Sequence, residues 1–469
     1  MLPKGELYFF VDLAYSMAII GSLKRLSMSV ANQIKTDLII IGGGIMGSAV
    51  AYQAALLGVK SVILENNNLA GPHYSTNIWA PRADYMPSDI DEVERTTYEC
   101  CRWLHILPEC FSPQLFLILI NSRTPYKYND FRSLLRLYDR LTKERLSPFP
   151  SKSFGISEAG LRKMEPNLRV GKFDRGLGFY ELVSDPKIIA KALKSRTESL
   201  VLGNKMLRIR KIAGYERNSD GMISRVIIIT ESDDVIVLSK SRGIPAVINA
   251  TGPWINQTAS DLGINFPIES HIGVQGAIFE KYCFQSNLLI FAEDGKYLIV
   301  RPYKDHVQIG PTNKFYGGTI DEFKSDKEKM EKHLSYLERN FKEIVELNYT
   351  NKDLVLKSVG ARLKLKLPIN SNRPFIFSEN NASISNYFAV YPGKLPSALR
   401  TADELLKIVA ERGLTPYSIK HFIGSTKGVL IGERRTKNSV LLWMEKIKSL
   451  FIVGINIFID KFKSKTPRK

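Results

Sequence analysis

Cysteine, histidine and acidic side chains are scarce in this chain of 469 residues. The four cysteines (Cys100, Cys101, Cys110 and Cys283) show no CxxC spacing and no pairing pattern. A disulfide framework and a cysteine-built zinc site are therefore not expected, no metal is called for, and a reducing, cytoplasmic compartment fits best. Asp and Glu number 47 against 66 Lys and Arg, a formal net charge of +19. That imbalance favours anionic partners such as a phosphorylated substrate or anionic lipid. A nucleic-acid-binding motif is absent, so nucleic acid is not expected as a partner. Internal repeats and low-complexity segments are absent too. Long apolar runs are missing: Leu7 to Leu23 spans about 17 residues and contains Asp12, at the lower limit for a membrane span. No clear small-residue cleavage site accompanies it. Residues 1–35 read as an N-terminal extension, either a packing or surface helix or a stretch translated ahead of a start at Met28.

What is present is a globular composition, 44% hydrophobic and 24% charged, in a chain long enough for a large two-domain unit. Its most informative stretch is LIIIGGGIMGSAVAYQAALLGVKSVILENNN, residues 38–68. Leu38 to Ile41 have the unbroken apolar character of a buried parallel strand. Gly42, Gly44 and Gly47 spell G-x-G-x-x-G. Ile45 to Leu57 reads as an Ala- and Leu-rich helix ended by Gly58. Ser61 to Leu64 is a second strand, closed by Glu65. Together they form the βαβ unit that holds a dinucleotide. The glycines allow a tight turn and close approach of a pyrophosphate to free N–H groups at a helix N-terminus, with Gly43, Ile45 and Met46 completing the cradle. Glu65, 18 residues past Gly47, can accept hydrogen bonds from ribose hydroxyls. An acid there favours FAD or NAD over NADP.

The choice between FAD and NAD comes from later segments: SRGIPAVINATGPWINQTASDLG (241–263), SHIGVQGAIF (270–279), YLIVRPYKDHVQIGPTN (297–313), KSVGARLKL (357–365) and YFAVYPGKLPSALRTADELL (387–406). Their order resembles the glycine/D-amino-acid-oxidase superfamily of FAD enzymes, and most of all its flavin-dependent glycerol-3-phosphate dehydrogenases. The resemblance runs from about Thr36 to Arg412. It implies a mixed α/β and α+β fold: a Rossmann-like FAD-binding domain of the GR2 type joined to an antiparallel substrate-side sheet. FAD-binding parts are expected at about 36–90, 185–265 and 355–412, with the substrate sheet between them. Local patterns agree. Ile223 to Ile229 and Asp234 to Leu238 read as strands, YLIV and HVQIG as a hairpin across RPYKD, and Asp321 to Val345 as an amphipathic helix.

The same resemblance assigns the site. His271 in "SHI" matches the histidine over the reacting carbon, and a neutral imidazole suits removal of a hydroxyl proton near pH 7. Arg362 in "VGARL" and Arg373 in "SNRPFIF" match arginines that hold the substrate, as guanidinium forks hold phosphate. Lys394 in "PGKL" matches a lysine beside the flavin, and Gly393 allows backbone approach. Ala250, Thr251 and Gly252 are further FAD contacts, and Ser75 and Thr76 open the loop that frames the flavin.

Two departures stand out. The family's glycine-rich loop, usually "STGLIHGGLRYL", is here STNIWAPRADYM (75–86). Its glycines are gone, and Asp84 aligns with a substrate arginine, with Arg82 two residues earlier. His73 is out of register for a covalent flavin link. Relatives also carry a further helical domain, whereas 57 residues follow Arg412, with twelve Lys or Arg against three acids. Within this tail, 439–469 reads as an interfacial helix for an anionic membrane surface or as a helix docked on the protein itself. The expected activity is oxidation of a small anionic hydroxy compound, sn-glycerol 3-phosphate to dihydroxyacetone phosphate, with quinone or oxygen as electron acceptor. The alternatives are oxidation of an amino acid or secondary amine, and a catalytically weak flavin-binding protein at a membrane surface.

Overall fold

The computed structural model describes residues 32–66, 90–145, 152–169, 171–278, 284–303, 306–312, 314–345, 354–365, 374–378 and 384–415. The chain opens with β1 (Asn32–Lys35), β2 (Leu38–Ile41), α1 (Ile45–Leu56) and β3 (Ser61–Glu65). It continues through α2 (Ile90–Ile106), β4 (Ser112–Ile120), α3 (Tyr128–Arg145), β5 (Phe154–Ser157), α4 (Glu158–Met164), β6 (Arg175–Val183) and α5 (Pro186–Leu200). A meander follows: β7 (Lys205–Arg217), β8 (Ile223–Thr230) and β9 (Val235–Ser239), then β10 (Ala246–Asn249) and α6 (Ile255–Ser260). The second half holds β11 (Ile268–Ile278), β12 (Asn287–Phe291), β13 (Tyr297–Tyr303), β14 (His306–Gly310), β15 (Lys314–Tyr316), α7 (Ile320–Ser325) and α8 (Lys327–Lys342). It closes with β16 (Leu354–Leu365), β17 (Phe375–Ser378), β18 (Tyr387–Tyr391) and α9 (Ala398–Glu411).

Among the described residues these strands form two sheets. The first runs β1-β9-β8-β7-β3-β2-β10-β18-β17. Its centre, from β7 to β18, is parallel, with Ile41 beside Leu64 and Asn249, and Asn249 beside Ala389. The second runs β15-β11-β14-β13-β12-β4-β6-β5, with β16 also paired to β11. It is antiparallel except where β12 joins β4. This is the mixed α/β and α+β architecture anticipated above. Residues 32–35, at the end of the stretch read as an extension, are an edge strand on β9. β16, in the stretch expected to bind FAD, belongs to the second sheet.

Burial explains the layers. Every residue of α1 from Ile45 to Ala55 is buried. The small side chains of Ala49, Ala51 and Ala54 let the helix sit between β2 and the helices α5 and α9 in one apolar cluster. Each Leu or Ile removed from water in that cluster contributes roughly 1.5–3 kcal/mol. A second cluster joins Ile272, Val274 and Ile309 of the antiparallel sheet to Leu337 and Phe341 of α8.

Two local expectations are corrected. The helix anticipated over 321–345 breaks at Asp326, whose carboxylate accepts the Lys329 N–H (3.0 Å) and so starts α8 anew. The hairpin turn is tighter than RPYKD: Arg301, Pro302 and Tyr303 continue β13, and Tyr303 already opposes His306.

Candidate active site

Four chain segments leave one end of the first sheet side by side, because β3, β2, β10 and β18 are consecutive parallel neighbours. They are Glu65, the turn 42–44, the segment 250–252 and the segment 392–394. Ligands bind beyond the carboxyl ends of such strands.

The turn is built from backbone. The Gly42 N–H donates to the Leu64 carbonyl (2.8 Å), and the Ala250 N–H to the Ile41 carbonyl (2.8 Å). Gly42 has φ +102°, and a Cβ there would meet the Ala250 carbonyl oxygen at 2.7 Å. A Cβ at Gly47 would collide with the Gly42 carbonyl oxygen and stand 3.2 Å from Ile40 Cγ2. These two glycines are required by packing alone. Gly44 is different: a Cβ there meets nothing within 4 Å. It caps α1 in extended conformation, and glycine supplies no side-chain cap, so the N–H groups of Ile45 and Met46 at the helix start receive no hydrogen bond from the cap residue. Glu65, buried, accepts the Gly43 N–H through Oε2 at 2.6 Å. An uncapped helix N-terminus, an open cradle at Gly44 and a buried carboxylate beside it fit the pyrophosphate and ribose of FAD.

The next segment is held by Asn249, wholly buried. Its Nδ2 donates to the Ile255 carbonyl and to the Tyr387 hydroxyl, both at 2.9 Å. Its Oδ1 accepts from Thr251 N (3.2 Å) and Thr251 Oγ1 (2.7 Å). Ala250, Thr251 and Gly252 (φ +60°) are thereby fixed at the strand end. In the third segment Gly393 has φ +66°, the Lys394 N–H bonds the Pro392 carbonyl (2.7 Å), and Lys394 is 6% exposed. Trp103 of α2, fully buried, donates Nε1–H to the Pro396 carbonyl at 2.9 Å and pins this loop from behind. Beside it Arg102 bridges Asp403 of α9 (2.9 Å) and Glu99 (3.4 Å). Burial pushes both carboxyls up, Glu99 to about 7 and Asp403 to about 6, with Arg102 opposing each shift.

His271 sits elsewhere, on β11, three residues beyond Ile268, which still packs in the first sheet's core. It faces position 362 of β16 and position 315 of β15 across the register. Its ring lies edge-on to Phe315, with centroids 5.7 Å apart. Its Nε2 is 3.9 Å from Glu269 Oε2, too far for a hydrogen bond. Ile272 and Val274 point into the helix-covered core, so alternation puts His271 and Gln275 on the opposite face. The same reasoning places Gln308 and His306 of β14 and Arg301 of β13 there, since Val307, Ile309, Leu298 and Val300 belong to the helix side. Gln275, Arg301, His306 and Gln308 are all at least 94% buried. The Gln308 Nε2 lies 3.2 Å from His306 Nε2, and the Gln308 Oε1 has no partner. A buried polar strip of this kind is what a polar ligand would complete.

Register thus brings Gly42, Gly43, Gly44, Glu65, Ala250, Thr251, Gly252, Gly393 and Lys394 to the carboxyl end of the first sheet's central strands, and positions 271 and 362 together on the other sheet. Ser75, Thr76 and Arg373 lie outside the described residues, as do the loop 75–86 and the tail 439–469. Asn249, Trp103 and the strip Gln275–Arg301–His306–Gln308 were not anticipated. The alternation of HVQIG, polar at 306 and 308 between Val307 and Ile309, was the available signal for the strip.

Known proteins give the same architecture. An alpha-glycerophosphate oxidase of Streptococcus pneumoniae is 24% identical over 356 residues, 72% of this chain and 56% of the relative. The chain spans about half the length of the curated relatives it matches first. The FAD complex of glycerol-3-phosphate dehydrogenase from Bacillus halodurans superposes with a TM-score of 0.59 at 17% identity, covering 81% of this chain and 66% of that one. Glycine oxidase from Geobacillus kaustophilus gives 0.55 at 15%, covering 83% and 98%. No helix among the described residues is long and apolar enough to cross a membrane. Residues 37–381 match the family model of FAD dependent oxidoreductases, and the chain belongs to that family.

Proposed function

We propose that the protein oxidises sn-glycerol 3-phosphate to dihydroxyacetone phosphate. The observation that carries this reading is the direct backbone register of His271 with position 362, with His271 on the face that also bears the buried polar strip. FAD, when bound, supplies the hydride acceptor. His271 takes the proton from the substrate hydroxyl as its carbon gives up hydride. Arg362 and Arg373 hold the phosphate, since guanidinium groups pair bidentately with its oxygens. Lys394, buried at the end of β18, keeps a positive charge beside the cofactor site. Names of relatives support the substrate class: a glycerophosphate oxidase and a glycerol-3-phosphate dehydrogenase stand among them. Electrons then pass to oxygen or quinone. In this reading residues 36–412 are the oxidoreductase unit, and the basic stretch 439–469 attaches it to an anionic membrane surface.

Replacement of His271 by Gln tests the assignment. Turnover of glycerol 3-phosphate should fall by about 10²–10⁴, the range for a lost general base, with flavin content unchanged. Oxidation of an amine needs no such base. Unaltered glycerol 3-phosphate turnover in His271→Gln would remove His271 as the base, whereas no glycerol 3-phosphate turnover in the parent, with an amine oxidised equally by parent and His271→Gln, would transfer the reading to amino-acid or secondary-amine oxidation.

A further inference from the structure

The helix-covered side of the second sheet holds a feature that this function does not use. Between the edge strand β15 and the start of α8 lies a cavity of about 470 Å³, the size of a small-ligand site. Its wall carries Lys314, Lys329, Lys332, His333, Tyr316 and Phe323. Lys329 stands over the Tyr316 ring at 4.7 Å and pairs with Asp326 (3.1 Å). Lys332 pairs with Glu328 (2.5 Å). Both pairs lie within one helical turn and have exposed lysines, with Glu328 exposed and Asp326 half-buried, and such pairs are weak. Glu322, whose carboxylate lies against the lining residue Gly318, is engaged by the Thr319 N–H at the start of α7 (2.8 Å).

Lys314 is the unusual member. It is half-buried, its ammonium lies over the Tyr336 ring at 4.6 Å, and among the described residues it has no carboxylate partner. Asp294, the acid bonded to that same Tyr336 through its hydroxyl (2.7 Å), also pairs with Lys296. His333 accompanies it, with Nδ1 at 2.6 Å from Thr312 Oγ1. Burial, and then the Lys314 charge, hold His333 down to about 4, so the imidazole is neutral at pH 7. The cavity therefore offers three ammonium groups, one of them uncompensated, around an aromatic wall.

We propose that this cavity is a second, non-catalytic site for a small phosphate-bearing anion. Ammonium groups bind phosphate as point charges arriving from several directions, and three surround this space. The site is separate from the proposed reaction centre. Lys314 and Tyr316 project to the helix side, packing on Tyr336 and Phe323, whereas Phe315 between them, which also borders the cavity, sets its ring against His271 on the opposite side of the sheet.

The experiment is a titration of the FAD-loaded full chain with inorganic phosphate, read by NMR of the histidine imidazoles, with His333→Gln assigning the resonance. Phosphate should move the His333 signal saturably and raise its pKa, because a bound anion offsets the Lys314 charge. Lys314→Gln should weaken that binding by about tenfold, the equivalent of one partly screened charge contact. Lys314→Met keeps the aliphatic stem over Tyr336 and should do the same, which guards against a loss of local structure. Arg362→Gln should leave the curve unchanged. A His333 signal that ignores phosphate, or that follows it equally in both Lys314 variants, overturns the site. So does a response that vanishes in Arg362→Gln, which would belong to the reaction centre. A response to vesicles containing phosphatidic acid but not to inorganic phosphate would replace the small anion by a lipid headgroup and overturn the proposal as stated.

Discussion

Gly44 and Gly47 separate what the glycine motif does for folding from what it does for the cofactor. At Gly44 the backbone is extended (φ −65°, ψ −174°) and open to solvent space, a conformation that alanine adopts freely. Gly44→Ala loses a slightly better cap residue but gains from a stiffer unfolded chain, about 0.4–1 kcal/mol. The two effects nearly cancel, and stability without FAD should change by less than about 0.5 kcal/mol. The new methyl group would stand where a pyrophosphate approaches the helix N-terminus, so FAD affinity should fall at least about tenfold, or 1.4 kcal/mol. Gly47→Ala is the converse. Its Cβ would collide with the Gly42 carbonyl oxygen and crowd Ile40 Cγ2 at 3.2 Å. Backbone cannot swing aside as a side chain can, so destabilisation should reach about 3 kcal/mol, the upper end for overpacking. Denaturant midpoints of the flavin-free proteins and FAD titrations by flavin fluorescence measure both. Parental FAD affinity in Gly44→Ala, or parental stability in Gly47→Ala, would refute the reasoning.

Three further outcomes are expected. Glu65→Gln replaces the charged acceptor of the Gly43 N–H (2.6 Å) by a neutral amide, and should weaken FAD binding by about tenfold in the same titration, since charge-assisted bonds are roughly twice as strong as neutral ones. Asn249→Ala strips partners from Ile255 O, Tyr387 OH and Thr251, and should cost about 3 kcal/mol in the denaturant midpoint. Glu99 and Asp403 titrate in the fold near 7 and 6, above their unfolded values. The folded chain therefore holds more protons than the unfolded one across that interval, and their contribution is full in acid and lost as pH rises. Thermal midpoints of the flavin-free protein should fall between about pH 5 and pH 8, and Glu99→Gln should flatten the slope.

The parts of this fold that could be read from the chain are those set by short-range rules. An unbroken apolar run, glycines at fixed spacing and a terminal acid define β2, α1, β3 and Glu65 within 28 residues of one another. The segments at 250–252 and 392–394 were recognisable by resemblance, but their meeting beside Gly42 depends on β10 and β18 pairing across distant sequence. Long-range pairing leaves little local mark. Asn249 illustrates the same limit: one polar residue ending an apolar strand gives no sign that four hydrogen bonds converge on it. The break at Asp326 was hidden because charged residues continue the helical pattern on both sides, and only the cap geometry stops α7. Arg301 was read as part of a turn because Pro302 and Tyr303 follow it, yet β14 opposite extends the pairing to Tyr303.

The most direct test of the proposed activity is an anaerobic visible spectrum of the flavin-loaded protein before and after addition of sn-glycerol 3-phosphate. The expected result is bleaching of the flavin band by that substrate, slowed by about 10²–10⁴ in His271→Gln. A flavin band left intact by glycerol 3-phosphate, but bleached by an amino acid or secondary amine, would contradict it.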